Sequence, residues 1–326
     1  MKKWLLIFIH FYIGLTVVIA AGSVDKLDTN ILTAFAYSPD DSFIAAGTAG
    51  GTIKLLDAGD LNEIKRFTPQ TDIVWQMEFN PAGTCLAVLS NRMVTIFEIE
   101  TGNIVLSLSE PNDSNIGSFA YRYDGNRIVT GSYSGELTIW DSISGNATIA
   151  IKEKQALTVS YSPDGNHIIG ASEHDFYIYN ANNGEKITSK SENNAWVKTV
   201  SYSPDGKKVI AVFSMKDHTG INHDYITDFI NIYDSTNYEL VNTIRLGKGT
   251  IKNAVFSPHL KFIIVSHVGY NSLKILVLNP ENGNVLSVII HSLGLSLQKN
   301  TFALSNNGDY IAYCFGYDVR VRRLNE

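Results

Sequence analysis

Seven times along this chain an aromatic or apolar residue leads into a short polar turn, and that recurrence restricts the possible folds more than any other feature. The copies read Tyr37-Ser-Pro-Asp-Asp, Phe79-Asn-Pro-Ala-Gly, Tyr121-Arg-Tyr-Asp-Gly, Tyr161-Ser-Pro-Asp-Gly, Tyr202-Ser-Pro-Asp-Gly, Phe256-Ser-Pro-His-Leu and Leu304-Ser-Asn-Asn-Gly. Their leading residues stand 42, 42, 40, 41, 54 and 48 positions apart. A period of about 42 residues suits a unit of four strands joined by turns.

The segments between the turns carry strand chemistry. Apolar stretches such as 43–46, 127–130 and 208–213 follow the first turn, and a second turn comes at Ala49-Gly50-Gly51 or Ser134-Gly135. Runs rich in Val, Ile, Thr and Tyr then cover 52–56, 94–99, 137–140, 176–179, 229–233, 273–278 and 319–321. They are too short and too β-branched for helices. A third turn at Thr101-Gly102, Ser144-Gly145, Asn183-Gly184 or Asn282-Gly283 precedes a fourth strand. Strands that are apolar on both faces need cover on both faces, and a circle of sheets provides it. The expected fold is therefore all-β, a single seven-bladed β-propeller of four-stranded antiparallel blades over residues 23–326. The last copy ends at its third strand near Arg323, which leaves a place that Val24 to Leu27 is expected to fill.

Ser-Pro-Asp-Gly, followed by Ser134-Gly135-Glu136-Leu137-Thr138-Ile139-Trp140-Asp141 and Ser144-Gly145, resembles a blade of the WD-repeat family. The resemblance covers essentially all of the chain after residue 22. Only the third copy ends in a true Trp-Asp pair. Elsewhere the pair is Leu56-Asp57, Tyr179-Asn180, Tyr233-Asp234 or Leu278-Asn279, and the Gly-His pair that opens family blades is absent. The repeats are thus degenerate, and the family's buried Asp-His-Ser-Trp hydrogen-bond network carries over to no blade.

The resemblance implies a noncatalytic protein-binding or scaffold module that docks partners on one rim, where each inner strand begins. Counting back six and four residues from each leading residue gives Ile31 and Thr33, Ile73 and Trp75, Asn115 and Gly117, and Gln155 and Leu157. The remaining pairs are Trp196 and Lys198, Thr250 and Lys252, and Gln298 and Asn300. The contacts expected from these are Ile73, Trp75, Asn115, Gln155, Trp196, Lys198, Lys252 and Gln298. The two tryptophans lead, because aromatic residues dominate binding hot spots. Trp75→Ala with Lys198→Ala is expected to leave folding intact and weaken binding.

Lys2 and Lys3 precede an apolar run from Trp4 to Ala21, and small residues follow to Ser23. Residues 1–22 read as a signal peptide or an uncleaved signal anchor, which places the rest of the chain outside the cytoplasm and confines any membrane contact to that segment. The formal charge of −6 argues against a nucleic-acid partner. Cys85 and Cys314 fall in non-adjacent blades and are expected to remain unbridged, as small apolar side chains.

Catalytic, metal and cofactor motifs do not emerge. Gly131-Ser-Tyr-Ser134-Gly135 has the wrong spacing for a nucleophile elbow, and Asp124, Asp164 and Asp205 read as turn residues, not calcium ligands. The long fifth copy carries Asp217, His218, His223, Asp224 and Asp228 over 215–228, whose spacing reads as a polar loop in preference to a zinc site. Asn112 and Asn146 open glycosylation triplets. Two other readings remain open. One is a propeller enzyme with carboxylates, histidines or cations converging on the central channel, and the other is a glycan- or envelope-binding propeller with exposed aromatics repeated from blade to blade.

Overall fold

The computed structural model describes residues 31–67, 72–90, 92–110, 114–152, 158–192, 195–215, 228–269, 273–289, 302–315 and 318–324. All regular structure among them is strand. Blade 1 consists of Leu32–Tyr37, Phe43–Thr48, Ile53–Asp57 and Glu63–Phe67, paired antiparallel in sequence order from the axis outward. Blades 2 to 6 repeat this meander over 74–108, 116–152, 158–191, 195–245 and 250–288. Blade 7, over 302–323, shows three strands among the described residues. The expected closing strand, Val24 to Leu27, and the expected leader at 1–22 lie outside the described residues.

Burial follows position within a blade. In blades 1 to 6 second and third strands are covered on both faces, as in Cys85–Ser90 and Met93–Glu98, whereas outer strands such as Ile104–Leu108 begin with exposed residues. The core is divided into seven hydrophobic clusters, one between each neighbouring pair of blades. The last joins Leu32, Phe35 and Ile44 of blade 1 to Ala312 and Cys314 of blade 7, and so closes the ring. Cys314 is buried there and Cys85 is half-buried in blade 2, and no disulfide joins them.

The recurring turn residues each have a task. In Tyr202-Ser-Pro-Asp-Gly the Ser203 hydroxyl donates to Asp205 at 2.7 Å and accepts from the Lys208 amide at 2.9 Å. Ser162 and Ser305 make the same pair of bonds with Asp164 and His167, and with Asn307 and Tyr310. These are local turn bonds, as the sequence suggested for the aspartates. The turn glycine also packs against the preceding blade: a Cβ on Gly83 would meet Pro39, one on Gly125 would meet Pro81, and one on Gly206 would meet Pro163.

At the junction of blades 7 and 1 both partners of this contact are replaced. Asp41, at φ 60°, stands where most copies have glycine, and Asn306 stands where they have proline. The Asp41 carboxylate accepts from the backbone amides of Asn306 at 2.5 Å and Asn307 at 2.9 Å, and from the Asn306 side chain at 3.0 Å. A nonpolar contact elsewhere in the ring has become a hydrogen-bonded latch at its seam.

The absence of the Gly-His pair left no blade with the family's Asp-His-Ser-Trp set, and blade 3 carries a buried network built from other residues. In blade 3 the Trp140 indole donates to Thr130 at 2.8 Å, and Thr130 and Thr138 donate to the buried Glu110 carboxyl at 2.7 and 3.0 Å. Blade 5 has a looser counterpart, in which Asn231 donates to the Tyr233 hydroxyl at 3.0 Å and to Glu192 at 3.4 Å. A glutamate entering the blade supplies the third member of the network, so the pattern was concealed by a change of residue type.

Candidate functional site on the rim of blades 5 and 6

Each inner strand that the structure shows in full for this stretch breaks its register at the same place. The interruptions fall between Leu32 and Ala34, Val74 and Gln76, Val197 and Thr199, and Ile251 and Asn253, with a matching one in blade 3 between Ile116 and Ser118. A bulge turns its extra residue away from the ladder. The extra residues are Thr33, Trp75, Gly117, Lys198 and Lys252, the positions four before the leading residue of each copy. Thr33 shows where such a residue reaches, donating at 2.7 Å to the Val74 carbonyl of the next blade.

In blades 5 and 6 the bulged residues are both lysines. The Lys198 ammonium bonds the Asp228 carboxylate at 2.5 Å, with side chains 13% and 0% exposed. The same Asp228 oxygen, Oδ2, accepts from the Ile251 amide of blade 6 at 2.5 Å, so one buried carboxylate ties the two blades together. Its other oxygen, Oδ1, is buried with no hydrogen-bond partner among the described residues, as is Nε2 of the adjacent His267. His267 pairs with Ile251 across the blade, and its ring lies where a Cβ on Gly249 would be, 2.6 Å from Cε1 and Nε2. Gly249, at φ 133°, is the residue that leaves room for it.

Burial sets the electrostatics. It pushes the Lys198 ammonium below the usual lysine range against the pull of Asp228. Lys252 is lowered by burial first and by the neighbouring Lys198 charge second, with Asp228 opposing. His267 is lowered by burial, with Asp228 opposing and Lys274 adding to the effect, so the neutral imidazole is favoured.

The structure brings Lys198 and Lys252 together and leaves the other expected rim residues apart from them. Trp75 is half-buried and packs on the cluster between blades 2 and 3. Trp196 packs against His174 of blade 4 with ring centroids 4.9 Å apart and planes tilted by 50°, and the His174 Nδ1 lies 2.6 Å from the Ala195 carbonyl. Ile73 and Asn115 are partly exposed. Gln155 and Gln298 lie outside the described residues, as do Asp217, His218, His223, Asp224 and Asn112. The expectation that Lys198→Ala leaves folding intact is corrected, because removing a lysine from a fully buried carboxylate costs about 3–5 kcal/mol. His267 escaped the sequence reading because its signal, a histidine ending a second strand, has no meaning until Gly249 and Asp228 are placed beside it.

A cavity of about 520 Å³ opens at the axis, lined by inner-strand residues including Phe35, Tyr37, Met77, Glu78, Phe302 and Asn253. The Glu78 carboxyl accepts from the Tyr121 amide at 3.3 and 3.4 Å, and burial pushes it up to about 8 against that bond. Two positions earlier, Gln76 donates to the Phe119 carbonyl at 2.7 Å and accepts from its amide at 3.3 Å.

A ring of seven meander sheets with bulged inner strands defines the chain as a seven-bladed β-propeller. A family profile described as "WD domain, G-beta repeat" matches residues 23–57, and one described as "Eukaryotic translation initiation factor eIF2A" matches residues 61–175. The chain is 29% identical over 111 residues to Periodic tryptophan protein 2 of Saccharomyces cerevisiae, covering 33% of the chain and 12% of that protein. It is 27% identical over 143 residues to the uncharacterized WD repeat-containing protein sll1491 of Synechocystis sp., covering 43% and 40%. A longer match, 20% identical over 231 residues, covers 70% of the chain and 42% of the U3 small nucleolar RNA-associated protein 15 homolog of Gallus gallus. The chain thus spans less than half the length of these curated relatives. Kuenenia stuttgartiensis hydrazine synthase superposes with a TM-score of 0.78 at 15% identity, covering 93% of this chain and 98% of that one, a likeness of fold alone. With its sevenfold repeat and these matches, the chain is similar to the WD-repeat β-propellers.

Proposed function

We propose that this propeller is a noncatalytic scaffold that holds a protein partner on the rim where its inner strands begin, and that it does so outside the cytoplasm. The observation that carries the reading is the ionic cluster of blades 5 and 6, in which the half-buried Lys252 ammonium has no acceptor among the described residues. Polar groups of this kind, desolvated and held in place at a rim, are what a partner can complete. The WD-repeat relatives support an interaction role, and a formal charge of −6 favours a protein over a nucleic acid. The extracytoplasmic setting rests on Lys2, Lys3 and the apolar run to Ala21.

The test is affinity capture with the full chain and with a Trp75→Ala/Lys252→Ala double variant, neither of which removes the Lys198–Asp228 pair. At least fivefold less partner is expected on the variant, with an unchanged thermal midpoint. Equal capture rejects the rim, and recovery of the native chain only from the cytoplasmic fraction rejects the compartment.

A further inference from the structure

Two ammonium groups, one carboxylate and one neutral imidazole share the rim between blades 5 and 6, and their charges do not balance. Lys198 is matched by Asp228. Asp228 is also committed to the Ile251 amide, which fixes it between the blades. Lys252 stands close enough to feel both Lys198 and Asp228, yet among the described residues no acceptor bonds its ammonium. A half-buried charge without a counter-ion is costly to the fold, and folds that retain one gain from it when a ligand arrives.

We infer that the Lys198, Asp228, Lys252 and His267 cluster is a carboxylate-binding site that takes an acidic side chain of a protein partner. This rests on the rim being the docking surface. Among the described residues that act on Lys252 the surplus is one charge, which a carboxylate cancels, Lys274 acting on His267. A phosphomonoester near −2 would leave net negative charge against the buried Asp228. Lys252 supplies the charge-assisted bond. His267, its Nε2 buried against Gly249, lies beneath the two lysines as a neutral group that adds no charge. The carboxylate therefore meets the Lys252 ammonium, while Lys198 stays on Asp228 and contributes charge at longer range.

The test uses the full chain with its lysines carrying 13C-dimethyl labels, read by NMR as N-acetyl tetraglutamate amide is added at constant ionic strength. The Lys252 resonance is expected to shift saturably, with N-acetyl tetraglutamine amide producing no shift. Lys252→Met should weaken peptide binding at least tenfold while holding or raising the thermal midpoint, because the substitution removes an unmatched charge. Lys252→Gln provides a second variant should the apolar one misfold. Absence of a saturable shift overturns the site, as does a binding constant that neither variant changes. Inorganic phosphate binding as tightly as the peptide overturns the preference for a single charge. Binding only of tetraglutamine with a free carboxy terminus overturns the acidic side chain as the source. Loss of partner capture on Trp75→Ala, without any peptide shift at Lys252, refutes the carboxylate site and leaves the rim standing.

Discussion

Glu78 and Gln76 sit two apart on one inner strand and reach the same neighbouring strand, yet pH acts on only one of them. Gln76 bonds both the carbonyl and the amide of Phe119, replacing the rung that two strands converging on the axis cannot form with each other. Glu78 does half of this and is raised to about 8 from the ordinary 4.5, because burial outweighs the Tyr121 amide. A carboxyl neutral in the folded chain and charged in the unfolded one withdraws stability as pH rises from the lower of those values to the higher. Glu78→Gln should therefore match the native chain near pH 4 and exceed it by roughly 1–3 kcal/mol near pH 9. Urea midpoints across that range read the difference, and parallel curves would contradict it. Glu110 faces a similar cost and meets it differently: burial raises it, while the Thr130 and Thr138 hydroxyls pull the other way. Thr130→Val strands Glu110 Oε1 and the Trp140 indole, while Thr138 keeps Oε2, and should cost about 2–3 kcal/mol in denaturant unfolding.

At the scale of the blade, glycines serve as much for packing between sheets as for turning within them. Gly145, at φ 72°, ends the third strand of blade 3, and a Cβ there would lie 2.5 Å from Leu106 Cδ1 on the outer strand of blade 2. Gly184 meets Ile149 and Ile151 of blade 3 in the same way, and Gly283 meets Ile244 of blade 5. Where the equivalent turn carries a larger residue, its surroundings differ. Leu61 of blade 1, at φ 62°, packs into the seam beside Val319, and Tyr238 of blade 5, at φ 55°, sets its hydroxyl 3.2 Å from that of Tyr202. Gly145→Ala should cost about 2 kcal/mol, from the backbone and the clash together. In a Leu106→Ala background only the backbone share of roughly 1 kcal/mol should remain. A double-mutant cycle separates the two, and an additive result would remove the packing role.

At the scale of the whole molecule, the ring is only as strong as its weakest junction, and the seam is built differently from the other six. Asp41 holds Asn306 and Asn307 through a carboxylate, where four other junctions set a proline beside a turn glycine. Asp41→Gly relieves a strained backbone yet removes three hydrogen bonds, so a net loss of about 1–2 kcal/mol is expected. Hydrogen exchange at the Asn306 and Asn307 amides should accelerate before that of any other blade, and uniform acceleration would show that the seam opens only with the rest. Period and turn chemistry were enough to read the blades, their number and their closed arrangement from the sequence, because each copy repeats the same local instructions. Also legible were the positions four before each leading residue, which fall on an inner-strand bulge in the five blades described over that stretch. What the bulges carry was not. Lys198 and Lys252 stand 54 residues apart, and Asp228 was visible only as a loop acid. Their surplus charge exists because neighbouring sheets bury all three against His267. The sequence alone determined the repeating unit, since propensity and turn geometry act over a few residues. Tertiary structure alone decided the site, since desolvation and charge balance depend on what the closed ring sets side by side.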